Sequence, residues 1–159
     1  MRLIFCLIIN CFCLLAIAHA QPLNADSTLP KVFLSGDHEE EYNQLCLESK
    51  LLLEVCNNDV DIAYAKWYSM LLEMEAYADQ INFDLKGAKM FINVFWNPDG
   101  SFLHIVYQLK PNSRNMNVAE LNAFFSSFMN NYKFPLVTNV KYVNYGAASF
   151  PVNPQRVGR

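Results

Sequence analysis

The chain has no Gly-rich phosphate loop and no nucleophile-elbow pattern, and its five glycines are too scattered to build either. Histidine is nearly as scarce. Of the three, His19 lies in the N-terminal apolar region, His38 sits at a predicted helix start, and His104 falls in a predicted strand among apolar neighbours. Neither His38 nor His104 has a spaced Cys, His or carboxylate partner, so no zinc site is expected. Asp59 with Asp61, and the Asp79 to Asp84 region, lack the dense oxygen spacing and the glycine of a calcium loop. Dense basic runs are absent too, which argues against nucleic acid. The expectation is a protein with no cofactor, no metal and no catalytic residues: not an enzyme.

What is present begins with export. Met1 to Ala20 carries Arg2, an apolar run from Leu3 to Ala18 and a closing Ala18-His19-Ala20, the pattern of a cleaved secretory signal. The run is short for a bilayer span and has no stop-transfer flank, so the mature chain from Gln21 is expected to be exported, peripheral to a membrane at most. Three of the five cysteines, Cys6, Cys11 and Cys13, fall within the run, leaving Cys46 and Cys56. An oxidising compartment permits a disulfide. However, both lie in a stretch from Asp37 to Cys56 without Pro or internal Gly that reads as one helix, on which they would stand about 15 Å apart. Two buried thiols are therefore expected. Charge is uneven: residues 26–84 hold thirteen Asp or Glu against three Lys, a net −10, while residues 85–159 hold eight Lys or Arg against two acids, a net +6. Either an acidic layer docked on a basic one within the chain or two surfaces with different partners accounts for this, and the internal arrangement is the one expected.

The mature length supports one domain with a substantial core. Residues 21–36 read as a polar leader and 153–159 as a flexible tail, bracketing a single domain over 37–152. Asp37 with Glu40 suggests a capping box, and a second helix from Asp59 to about Gln80 carries an apolar stripe through Trp67, Met70, Leu71 and Met74. Two helices so closely joined are expected to pack as an antiparallel hairpin over residues 37–80. The period then changes to two. Lys89 to Trp96 and Phe102 to Leu109 flank Asn97-Pro98-Asp99-Gly100, a bulged hairpin turn. The pattern places Met90, Ile92, Val94, Trp96, Phe102, His104 and Val106 on one face. Phe91, Phe95, Leu103, Ile105, Tyr107 and Leu109 fall on the other, so both faces need cover. A third helix, capped by Asn117 and running to about Tyr132, covers one face; the helical hairpin or a second copy, as in a homodimer, covers the other. Val137 to Val143 or Tyr145 to Val152 supplies a further strand.

Asn93-Val94-Phe95-Trp96-Asn97-Pro98-Asp99-Gly100-Ser101, then Ile105-Val106-Tyr107, the helix Val118 to Tyr132 and Tyr132-Lys133-Phe134-Pro135 occur in an order that resembles the C-terminal domain of TonB-type energy transducers. The resemblance covers roughly residues 87–152. It implies a small αβ module of the Gram-negative envelope whose last strand pairs with an extended segment of an outer-membrane transporter. The chain departs from a true transducer because its N-terminal apolar segment reads as cleaved and it has no long Pro-rich span. Force transmission is accordingly not expected. The fold expected is α+β, a helical hairpin packed on a TonB C-terminal-like hairpin, helix and strand unit. The function expected is a non-catalytic interaction module, periplasmic or extracellular, that binds an envelope protein through an exposed strand in the Asn139 to Ser149 region, with Tyr142, Tyr145 and Phe150 as partner-binding residues. The alternative is a periplasmic binder of a small apolar or anionic ligand lined by Phe91, Phe95, Trp96 and Tyr107 and served by Lys89 and Lys110. An enzyme is the remaining possibility, and it would be marked by His104 gathering several carboxylates in one cleft.

Overall fold

A computed structural model describes residues 29–153, so the signal-like segment, residues 21–28 of the leader and residues 154–159 of the tail lie outside the described residues. The elements are, in chain order, β1 (Val32–Leu34), α1 (Glu39–Glu48), β2 (Lys50–Leu51), α2 (Leu52–Val55), α3 (Val60–Gln80), β3 (Lys89–Trp96), β4 (Phe102–Leu109), α4 (Val118–Asn131) and β5 (Tyr142–Ser149). They form an α+β fold around one five-stranded mixed sheet of order β1-β4-β3-β5-β2. The three long strands are antiparallel, and each outer strand is short and parallel to its neighbour.

The hairpin forms where its turn chemistry places it. Gly100 donates its N–H to Asn97 at 3.0 Å with φ +85°, and Asn97 donates to Ser101 at 2.8 Å. A side chain at 100 would also meet the Phe134 carbonyl oxygen at 2.2 Å. Glycine is therefore required twice there, by backbone conformation and by close approach. Asp99 fixes the turn by accepting from Ser101 N, Ser101 Oγ and Lys133 Nζ. These donors hold its carboxyl well below the usual range, Lys133 foremost.

One residue past the turn the strand faces change. Trp96 lies opposite Phe102 but Phe95 lies opposite His104, so Leu103 is a bulge. A single extra residue inverts every later side chain. Ile105 and Tyr107 consequently join Met90, Ile92, Val94 and Trp96 in the main core, while Val106 joins Phe95 on the opposite face. His104 pairs with Phe95 there, contrary to the simple alternation expected.

The main core is closed by α2, α3 and α4. Asp59 caps α3 by accepting from Ile62 N, and Asn117 caps α4 by accepting from Ala119 and Glu120 N. Met70, Met74, Phe125 and Phe128 are buried between them and the sheet, and Tyr77 Oη bonds Ser127 Oγ at 2.6 Å across the two helices.

The expected helical hairpin over 37–80 does not form. The helix stops at Glu48, Ser49 is extended, and Lys50 donates to the Lys141 carbonyl at the sheet edge. Around that edge the chain passes from one face of the sheet to the other. Leu45 and Tyr42 of α1 pack with Phe95 and Val143, whereas Leu52 and Cys56 belong to the main core with α3. Cys46 and Cys56 are thus both free thiols, the first half-buried and the second buried, but on opposite faces of the sheet rather than along one helix. Asp37 is not the α1 cap either, since His38 occupies that position in a left-handed conformation with no side-chain cap. Within the predicted leader, Val32 and Phe33 are buried as β1, pairing with Ile105 and Val106. Two ion pairs join the acidic and basic halves of the chain, Asp84 with Arg114 and Glu48 with Lys141.

Candidate functional site

Strand β5 straddles the two segments expected to supply the last strand and is paired with β3 along all eight of its residues. On its other side only Tyr142 and Val143 are paired, with the two-residue β2. From Asn144 to Ser149 the outer edge has no strand partner among the described residues. The direction of the main-chain groups follows from the ends of the strand. Phe150 exchanges hydrogen bonds with Ala88 and Gly87 on the β3 side, and Lys141 accepts from Lys50 on the outer side. By alternation, the N–H and C=O groups of Tyr145, Ala147 and Ser149 point outward.

A groove of about 510 Å³ follows this edge, lined by Tyr64, Trp67, Tyr68 and Leu71 of α3, by Ala147 and Ser149, and by Lys89 and Lys110. Gly146 sets its depth. A Cβ there would lie 2.4 Å from the Trp67 ring, so the absence of a side chain lets α3 come down onto the strand. Tyr64 stacks on Tyr68 with centroids 6.1 Å apart, and the buried Tyr68 hydroxyl has no hydrogen-bond partner among the described residues. On the opposite sheet face α1 covers Phe95 and Val143 but stops short of Phe91, which is 54% exposed and carries the Lys110 ammonium 4.5 Å from its ring centre.

Of the three aromatics expected to bind a partner, the structure exposes one. Tyr145 is 44% exposed, its ring edge against Phe95. Burial, followed by the neighbouring Cys46 thiol, raises its phenol pKa. Tyr142 and Phe150 are core residues. Tyr142 is wholly buried, stacks on Trp96 with centroids 5.2 Å apart and donates to the Leu136 carbonyl at 2.9 Å. Phe150 belongs to the same core. Both follow from strand parity, because residues 142, 144, 146 and 148 face α3 and α4. The groove-lining aromatics of α3 were missed as site residues because they sit on an ordinary amphipathic stripe. The isolated Gly146 within a strand pattern was the available signal of close approach.

The aromatics expected to line a small-ligand site are not gathered into one. Trp96 and Tyr107 lie in the main core and Phe95 in the other, all three buried, and only Phe91 is open. Trp96 faces away from its neighbour Phe95 by simple alternation, and the bulge at Leu103 turns Tyr107 away from Phe95 as well. His104 does share an open hollow of about 540 Å³ with Glu40, Glu41 and Glu48. Among the described residues no carboxylate hydrogen-bonds or ion-pairs with its ring, however: Nδ1 is 2.9 Å from the Pro30 carbonyl. Burial above all, with Lys141 and Lys31, lowers its pKa against the raising effect of Pro30. Glu48 is engaged by Gln44 and Lys141. Among the described residues no group of three or more His, Cys, Asp or Glu is placed to hold a metal, and no helix is long and apolar enough to cross a membrane.

No family model, no curated protein and no solved structure matches this chain.

Proposed function

We propose that this protein is a non-catalytic interaction module of the cell envelope, exported by its N-terminal signal, that accepts an extended segment of a partner protein as an added strand on β5. The observation that carries the reading is the six-residue open edge from Asn144 to Ser149, long enough for several main-chain hydrogen bonds and bordered by exposed aromatic surface. The TonB C-terminal-like resemblance agrees with it. The strand, Pro-Asp-Gly turn, strand, helix and strand order is present, and the last strand lies beside the first strand of the hairpin, with its other side paired to β2 only at Tyr142 and Val143. On that resemblance the partner is an envelope protein such as an outer-membrane transporter.

The test is affinity capture of envelope proteins by immobilised residues 21–159 at low and high salt, with the Ala147→Pro variant in parallel. Proline removes an outward N–H and fills the edge with its ring, without touching the bonds to β3. A stoichiometric partner retained at high salt by the parent and lost by the variant, with circular dichroism unchanged, is the expected result. Retention by both, or by neither, would sink the edge-strand reading, and retention at low salt alone would assign binding to the charge asymmetry.

A further inference from the structure

Resting on the edge-strand reading, we infer that the segment taken by β5 is an acidic peptide that alternates apolar and carboxylate side chains. A strand added to β5 presents its residues alternately to two unlike surfaces. Toward α3 it meets Tyr64, Trp67 and Tyr68, which suit apolar or aromatic groups. On the other face its neighbours are the small Ala147 and Ser149, and beyond them Phe91, Lys89 and Lys110.

The charge of the partner follows from this second face. Lys89 is paired with Ser149, and Lys110 donates its backbone N–H to Lys89 at 2.9 Å, so both ammonium groups are carried at the same end of the sheet. Among the described residues they are the only charged side chains that line the groove, and Glu75, the acid attached to its wall, is engaged by the Val152 N–H. An added strand lies two strand spacings from β3, roughly 10 Å. A glutamate on that strand can meet Lys89 on β3 across such a gap, and Lys110, carried one strand further away, leans toward it over the Phe91 ring. The intervening Ala147 and Ser149 are too small to block them. An apolar residue in the same position would instead leave both lysines facing uncompensated apolar surface.

The experiment uses fluorescein-labelled peptides with the core Phe-Glu-Val-Glu-Val or Phe-Lys-Val-Lys-Val, flanked by threonines, titrated against residues 21–159 and followed by anisotropy. The Glu peptide is also made N-methylated at every second amide, once in each of the two possible phases. The Glu peptide should bind about tenfold or more tightly than the Lys peptide, from two exposed charge pairs reversed in sign. The preference should shrink at high salt and invert in the folded double variant Lys89→Glu, Lys110→Glu. One methylation phase should abolish binding and the other should not. If one phase abolishes binding but Glu and Lys peptides bind alike, the acidic-peptide inference is overturned and the edge-strand reading stands. Should neither phase weaken binding, or no peptide bind, the edge-strand reading falls and takes the inference with it.

Discussion

Replacing the three aromatics of the last strand with alanine is the obvious way to seek a partner surface, and the structure says that two of the three replacements unfold the protein instead. Tyr142 fills the core between Trp96 and Phe134, with centroids 5.2 and 6.1 Å away, and is wholly buried. Truncating an aromatic so placed costs about 3–5 kcal/mol. Its hydroxyl bond to Leu136 adds about 1 kcal/mol. Phe150, at 3% exposure, belongs to the same cost class. The two sit at opposite ends of β5, far enough apart for their effects to add, so together they remove roughly 7–11 kcal/mol. A domain of this size has about 5–15 kcal/mol in total. Tyr145, by contrast, loses an edge contact with Phe95 and little burial, about 1 kcal/mol or less. Urea unfolding followed by the fluorescence of Trp67 and Trp96 measures each cost separately. A loss below about 1 kcal/mol for Tyr142→Ala, or above about 3 kcal/mol for Tyr145→Ala, would refute this division of the strand. Tyr142→Phe should recover all but about 1 kcal/mol, separating ring from hydroxyl.

Two further outcomes follow from the turn and from His104. Gly36 and Gly100 both have positive φ, but only at Gly100 would a side chain strike backbone; Gly36→Ala should cost about 1 kcal/mol and Gly100→Ala at least about 2 kcal/mol more, and equal costs in urea unfolding would remove the close-approach argument. His104, whose folded pKa is depressed mainly by burial, binds its proton more readily in the unfolded chain. Its stability contribution is therefore complete above the unfolded value of about 6.5 and declines as pH falls from there toward the folded value. His104→Gln should flatten the fall in stability that sets in below about pH 6.5, and an unchanged slope would show that another group sets it.

The parts of the fold that were legible in the sequence are those specified by neighbours in the chain. Asn97 to Gly100 spell a turn, Asp59 and Asn117 spell caps, and the stripes through Trp67 and Phe125 spell helices that face a core. What was not legible depends on residues remote in sequence. Leu103 bulges beside an otherwise regular turn, and nothing in its neighbours announces the inversion that carries His104 to one face and Tyr107 to the other. Ser49 to Leu51 continues a helical pattern without Gly or Pro. It is extended because Lys50 finds the Lys141 carbonyl, more than ninety positions away, as a partner. Tertiary pairing there overrides local preference.

The open edge belongs to this second kind, and its origin ties the fold to the proposed function. A chain that placed α1 and α3 side by side, as the sequence pattern suggests, would leave β5 either fully covered or fully bare. Instead the chain must cross from one face of the sheet to the other, and it does so at β5. That crossing spends only Lys50 and Leu51 on pairing before α2 turns away into the main core. The start of β5 is thereby fixed by β2 and by the Lys141 to Glu48 ion pair, and its end by the bonds of Phe150 to Ala88 and Gly87. Between these anchors the absence of a side chain at Gly146 lets Trp67 lie against the strand, and pairing with β3 keeps the segment extended while its outward N–H and C=O groups have no strand partner among the described residues. An added strand would meet an edge already extended, and would not have to order both chains at once. The proposed strand addition would draw on that reduction in ordering cost.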